Sequence, residues 1–398
     1  MLEMKSLYWF LIAACLLNGC FVHQCEGSSG SKNKKKGKVQ QASGSQDQLI
    51  FAHILFRHGD RNIRVPFPKD EHGDMKKNYP EGPAELTNIG KQQQYELGVY
   101  LAERYKNLIG NNGAYHKDII YVQSTDVDRC LQSVAHNMAG MFPPKENQKW
   151  NKKLGQIWHA VPIHTVPEAQ DHILAMRKPC PLFSQELNDA FNSKKASFDG
   201  NSSYINMLRE NSGLNITNVC NVLDLYHTLW VHNEHKLSLP KWAKKEFYPG
   251  CLMEKIGMEC FLAFVSTEKM LRVKPGYLIK DILDRFSAKK NGTLKPDRSI
   301  HVYSAHDTTI IGVLSALKLF EPHYPEYAAC LFFELYTSNN GHYVQLYYKR
   351  DREVERQPLQ ALNIPNCGKK CPLDQFYRIF QNIIPSDNYD EECKPRTF

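Results

Sequence analysis

Two arginines flank a histidine in the stretch Arg57-His58-Gly59-Asp60-Arg61. That combination suits an anion with several oxygens. A guanidinium stays charged at any working pH and grips two oxygens at once through its planar fork, which a lysine ammonium cannot do. Glycine lets the backbone turn sharply between them. A histidine placed among such cations can attack phosphorus through a neutral ring nitrogen, provided its other nitrogen is held by a hydrogen bond. His58 is therefore the candidate nucleophile, and a phosphate is the obvious ligand.

The elements that must present these residues are legible around them. Leu49 to Phe56 is an almost unbroken apolar run, short for a helix and suited to a parallel strand covered on both faces. In open α/β sheets ligands bind at the carboxyl edge of such strands, where Arg57 to Arg61 would stand. The same pattern comes twice more. Asp118 to Val122 predicts a strand that delivers Ser124-Thr125-Asp126-Val127-Asp128-Arg129 to an edge, ahead of an amphipathic helix marked by Cys130, Val134, Met138 and Met141 and stopped by Pro143-Pro144. Ser299 to Tyr303 predicts a strand that ends in Ser304-Ala305-His306-Asp307-Thr308-Thr309, ahead of a helix with Ile310, Ile311, Leu314 and Leu317. A parallel sheet would bring the three strand ends together.

Between these junctions, Asn62 to Leu86 is rich in Pro, Gly and charge and reads as a loop over the site. Leu97, Leu101, Tyr105, Leu108 and Ile109 share one helical face that ends at Gly110. From 164 to 290 helical patterns dominate, with Val219, Val222, Leu223, Tyr226, Leu229 and Trp230 on one long apolar face. That segment reads as a helical cap inserted into an α/β core of residues 49–163 and 291–398, and such lids shape substrate choice. Ala329 to Tyr336 and His342 to Tyr348, joined around Asn340-Gly341, predict an edge hairpin. A last helix carries Leu373, Phe376, Tyr377, Phe380 and Ile384.

The three motifs, together with the tail Cys367 to Leu373, occur in the order found in the histidine acid phosphatase family, which this chain resembles over nearly all of its length after residue 48. Within that family the look is nearest to secreted insect venom and salivary members. The resemblance implies an α/β fold with a phosphoglycerate-mutase-like core, a mostly parallel central sheet flanked by helices and a smaller helical cap. It implies that His58 forms a phosphohistidine, that Arg57, Arg61, Arg129 and His306 hold the phosphoryl oxygens, and that Asp307 protonates the leaving alkoxide before water releases phosphate. Near a dianionic substrate Asp307 should gain proton affinity, with the arginines opposing, so that activity peaks on the acid side. No metal or other cofactor is implied. The resemblance also suggests that Cys180 pairs with Cys393 and Cys367 with Cys371. Cys330 matches a family half-cystine whose usual partner is missing here, and Cys220 is the substitute; Cys251 with Cys260 is a weaker pairing, and Cys130 is unassigned.

At 398 residues with an ordinary globular composition, the chain has room for one large domain or two. Its formal charge of +8 draws partly on Lys32, Lys34, Lys35, Lys36 and Lys38 and not on a basic stripe, so nucleic-acid binding is not implied. Met1 to Gly27 reads as a secretory signal, with Lys5 before the apolar run Leu7 to Leu17, too short for a bilayer span. Ser28 to Gln48 has the composition of a disordered leader. No second hydrophobic span follows, so the expected product is secreted and carries no membrane segment. Export makes paired thiols disulfides and Asn201, Asn215 and Asn291 glycan acceptors. Cys367 and Cys371 lack the second ligand pair of a zinc site, and His227, His232 and His235 read as helix-surface histidines, so no metal is assigned. The expected activity is hydrolysis of small phosphomonoesters or phosphorylated proteins and lipids. A phytase acting on inositol phosphates and a catalytically idle secreted phospho-ligand binder are the competing readings. The family resemblance admits a homodimer, for which no interface signature is visible.

Overall fold

The computed structural model describes residues 47–350 and 359–396. The expected signal segment and the lysine cluster lie outside the described residues. The leader ends earlier than the composition suggests, because Gln48 already begins the first strand and Asp47 accepts hydrogen bonds from Tyr343 and Lys370.

Strand β1 (Gln48–Arg57) is buried from Phe51 to its end. Its side chains alternate between two cores, which is why the run is apolar without a polar face. Phe51 and Leu55 join one cluster, packed beneath helices α7 (Pro275–Lys290), α8 (Asp307–Ala316) and α9 (Leu373–Phe380). Ala52, Ile54 and Phe56 join the other, with Leu97 and Leu101 of α1 (Asn88–Arg104) and Val134 and Met138 of α2 (Asp128–Met141). Each of the larger of these side chains taken fully out of water stabilises the fold by roughly 1.5–3 kcal/mol.

The sheet has the order β3-β2-β4-β1-β5-β6-β7, with β2 at Ile120–Thr125, β3 at His164–Val166, β4 at Ile300–Ala305, β5 at Cys330–Ser338, β6 at Gly341–Lys349 and β7 at Cys371–Pro372. Strands β1 to β4 are parallel. The hairpin β5–β6 continues the sheet antiparallel from β1, with Ser338 opposite Gly341 at its turn. Register decides what matters for chemistry: Arg57 lies opposite Ala305, and Ser124 opposite Ser304. All three predicted junctions therefore reach the same rim.

The two ends of the segment 164–290 belong to this core and not to a cap. His164 to Val166 pairs with β2, and α7 buries Leu278, Ile282 and Phe286 under the sheet. Short strands and crossover helices carry weak signals when the helical pattern around them is strong. Between them α3 (Pro181–Gly200), α4 (Ser202–Ser212), α5 (Val219–Glu234) and α6 (Leu252–Phe264) follow one another. Leu208, Val222, Leu229, Ile256 and Phe261 form an apolar cluster there that also takes in Ile311 of α8.

Cys180 is bonded to Cys393 and Cys367 to Cys371. The expected pairing of Cys220 with Cys330 is wrong, as is that of Cys251 with Cys260: Cys220 bonds Cys260 across α5 and α6. Cys330 cannot reach either helix, because it opens β5 opposite Phe56, fully buried in the sheet core. Cys251 stays a free thiol whose sulfur accepts from the Glu254 N–H and so caps α6. Asn215 and Asn291 are exposed, whereas Asn201 is half-buried and its side-chain amide donates to the Ser197 carbonyl.

One buried feature runs against acid stability. His53 is fully buried among Phe51, Phe286, Tyr303 and His301, and neither of its ring nitrogens has a hydrogen-bond partner among the described residues. Burial, then His301 and Arg285, push its pKa well below the ordinary value; burial pushes His301 down to about 2. Above about pH 6.5 neither the folded nor the unfolded chain protonates these rings, and no penalty exists. As pH falls below that value the unfolded chain gains protons that the folded chain refuses, so unfolding is favoured. Thermal melts should therefore show His53→Phe raising the melting temperature more at pH 5 than at pH 8; an equal shift at both would contradict this account.

Candidate active site

His58 follows β1 directly, and its backbone is pinned on both sides: its N–H donates to Ala305 and its carbonyl accepts from Ala328. The turn after it is fixed by steric limits. A Cβ on Gly59 would lie 2.3 Å from the Gly90 carbonyl oxygen, so only glycine lets the loop rest on the start of α1. The Gly59 N–H donates to the Ser133 hydroxyl at 3.0 Å and the Asp60 N–H to Gln93 at 2.8 Å.

The His58 ring is buried, with Nδ1 2.8 Å from the Gly59 carbonyl oxygen. A carbonyl oxygen can only accept, so Nδ1 carries the proton and Nε2 keeps its lone pair. Burial, followed by Arg129, Arg57 and His306, pushes the His58 pKa well below the ordinary range. Both effects favour the neutral imidazole that a nucleophile needs.

Arg57 is almost completely buried. One terminal nitrogen donates to the Pro325 carbonyl at 2.6 Å and the other pairs with Asp307 at 3.0 Å. Its guanidinium lies 4.2 Å from the Tyr327 ring centroid, and that ring is stacked on Trp230. Arg129 starts from the second junction, its pKa lowered chiefly by burial. The Nε atoms of Arg57 and Arg129 are buried without a hydrogen-bond partner among the described residues. Such donors are costly to leave unpaired and are satisfied by an oxyanion. Arg61 pairs in an isolated bridge with Leu86 and donates to the Asn62 carbonyl.

At the third junction His306 caps α8 and Asp307 opens it. The His306 ring is 5.7 Å from that of His58, with Nε2 3.1 Å from the Thr125 hydroxyl. Burial, then Arg129, lowers the His306 pKa to about 3. Cys130 packs against the same ring, 3.7 Å from Nδ1, its thiol pushed up to about 11 by burial and so kept protonated. For Asp307 the expected gain in proton affinity is not what the free protein has. Burial acts in that direction, yet Arg57, with His227 and His306, outweighs it and holds the carboxyl well below the usual range.

Beside this cluster opens a cleft of about 230 Å³, lined by Arg61, Arg64, Phe67, Leu214, Asp224 and His227 among others. His227, His232 and His235 have separate surroundings. His227 borders the cleft, fully buried His232 lies 3.5 Å from Asp70, and His235 reaches Asp60. His232 is therefore no surface residue. All six predicted residues, Arg57, His58, Arg61, Arg129, His306 and Asp307, gather at one rim. Thr125, Pro325, Tyr327 and Trp230 were not singled out. Thr125 lies inside the second motif, but nothing in the sequence marks Tyr327 or the Pro325 carbonyl as arginine partners.

Residues 48–349 match the histidine phosphatase superfamily (branch 2). The lysosomal acid phosphatase of Rattus norvegicus is 33% identical over 351 residues, which cover 87% of this chain and 80% of the relative. The prostatic acid phosphatase of the same species is 32% identical over 355 residues, 88% of this chain and 90% of the relative. Among solved structures, the apo form of Hafnia alvei phytase has a TM-score of 0.64 at 16% identity, covering 89% of this chain and 100% of that one, a likeness of fold alone.

Proposed function

This chain belongs to the histidine phosphatase superfamily, branch 2, and from that membership we propose a mechanism in which His58 attacks phosphorus, Asp307 protonates the leaving oxygen, and Arg57, Arg61, Arg129 and His306 hold the phosphoryl oxygens. The chain is an acid phosphatase, a hydrolase of phosphate monoesters. The observation that carries the division of roles is the His58 ring, fixed by its Nδ1 hydrogen bond with Nε2 free beside the arginine cluster.

Phosphoryl transfer demands charge stabilisation and in-line positioning, which three guanidiniums supply. His58 Nε2 bonds to phosphorus as the ester oxygen departs with a proton from Asp307. Water then attacks the phosphohistidine, returns a proton to Asp307 and releases phosphate. The Arg57–Asp307 pair supports an acid-side optimum. A bound phosphate competes for Arg57, which releases Asp307 towards the protonated form its role requires.

The cleft favours small monoesters over a polyanion, since Arg61 and Arg64 share it with Asp224 and with apolar Val65, Phe67, Leu214 and Leu225. Helices α3 to α6 border the leaving-group side in this reading. A comparison of kcat/KM at acid pH should favour an aryl phosphate over inositol hexakisphosphate by at least about tenfold, the scale of one well-placed contact. The reverse preference would move the chain to the phytase reading. Three disulfides support export through an oxidising compartment. Among the described residues no helix is long and apolar enough to cross a membrane. An extracellular site of action is our reading, tested by recovering the protein from the medium of a cell that expresses the full chain.

A further inference from the structure

Asp60 of the Arg57–Arg61 stretch, whose side chain has no part in the mechanism above, is buried with a carboxylate that must find partners. Its Oδ2 accepts from the Thr87 hydroxyl at 2.5 Å and lies 2.8 Å from His235 Nε2. A carboxylate only accepts, so Nε2 carries the proton. Oδ1 has no hydrogen-bond partner among the described residues. Two links therefore hold this charge. One comes from the cap of helix α1, where Thr87 also accepts from the Gly90 N–H. The other comes from the residue that ends helix α5.

The placement has a consequence for phosphate. Asp60 stands next to Arg61 in the chain and three residues from Arg57, so the carboxylate and the two guanidiniums belong to one five-residue stretch. A carboxylate and a phosphate compete for the same forks. Loss of one partner from a buried, charged hydrogen bond leaves the remaining charge to seek another. Around the pair stand Tyr79, whose ring is 6.0 Å from that of His235, and His232 with Asp70 and His72 behind it. None of these supplies a second donor to Asp60 among the described residues.

We infer that His235 is a positioning residue: it holds the Asp60 carboxylate away from the phosphate-binding arginines, so that the end of a cap helix sets the phosphate affinity of the loop. The inference rests on the assignment of Arg57 and Arg61 to phosphate. It also explains why a histidine at the end of α5, far along the chain from the signature, is turned inward.

The test uses the full chain with His235→Leu, His235→Gln and the double variant Asp60→Asn/His235→Leu, assayed on an aryl phosphate with inorganic phosphate as inhibitor. His235→Leu should raise both KM and the phosphate inhibition constant by on the order of tenfold, the effect of one hydrogen bond to a charged group. His235→Gln, which keeps a donor, should stay near the parent protein. The double variant, which has no carboxylate to misplace, should recover phosphate affinity. Unchanged KM and inhibition constant in His235→Leu, even with a lowered melting temperature, would reduce His235 to a structural role and overturn the inference. Should His235→Leu fail to fold, the double variant should fold and bind phosphate normally; its failure would also overturn the inference. Were the arginine assignment itself at fault, Arg61→Ala would leave phosphate inhibition unchanged, an outcome separate from any result at His235.

Discussion

Replacing His58 by alanine should lower turnover of an aryl phosphate by at least about 10⁴-fold, the scale seen when a covalent nucleophile is removed and only binding remains. Several features set this expectation. The ring is buried, its Nδ1 is committed to the Gly59 carbonyl, and its Nε2 faces the cationic cluster. His306 cannot take over, because it is held by Thr125 and Cys130 at the neighbouring strand end. Fold and phosphate affinity should survive the substitution, since the arginines keep their own anchors. The check is steady-state kinetics on purified protein with and without the substitution, joined to acid-labile labelling of the parent protein from a radioactive phosphate ester. Equal turnover in the two samples would remove His58 from the mechanism.

The second large effect should appear at Asp307 and should depend on the substrate. Asparagine at this position can still accept from Arg57 but cannot deliver a proton, so the loss falls on the departing oxygen. For an alkyl phosphate, whose alkoxide is a poor leaving group, kcat should fall by about 10²–10⁴-fold, the range of general-acid catalysis. An aryl phosphate with an acidic phenol needs the proton less and should lose far less. Plotting log kcat against the leaving-group pKa should therefore give a steeper line for Asp307→Asn than for the parent protein, and parallel lines would exclude an acid role. The pH dependence follows the same logic. Arg57 keeps the Asp307 carboxyl ionised in the free protein. An acid must be protonated to act, so kcat/KM should fall as pH rises through the acid range and lose that slope in Asp307→Asn.

Much of this site was readable because its residues sit where apolar runs stop. The positions of Arg57, His58, Arg129, His306 and Asp307 follow from strand ends, and strand ends follow from burial on both faces. What escaped reading depends on contacts between distant segments. Cys330 looked like a half-cystine, yet its place at the head of β5, opposite Phe56, puts it in the opposite core from Cys220. The protonation preference of Asp307 depends on one 3.0 Å contact with Arg57 that no motif encodes. Nothing in the helix that precedes His235 hints that Asp60 lies beside it. A three-residue strand such as β3 leaves almost no periodic trace at the start of a helix-rich segment.

The sheet order carries a consequence for biosynthesis. β1 lies between β4 and β5, so its first hydrogen-bonding neighbour is not translated until residue 300. From the moment it leaves the ribosome until then, a strand with seven consecutive core positions has nothing to pair with. Strands in that condition are the ones that nascent chains lose to aggregation, and contacts so far apart in sequence form slowly. Shielding Phe51 to Phe56 during synthesis would therefore protect the chain from that loss until β4 is available.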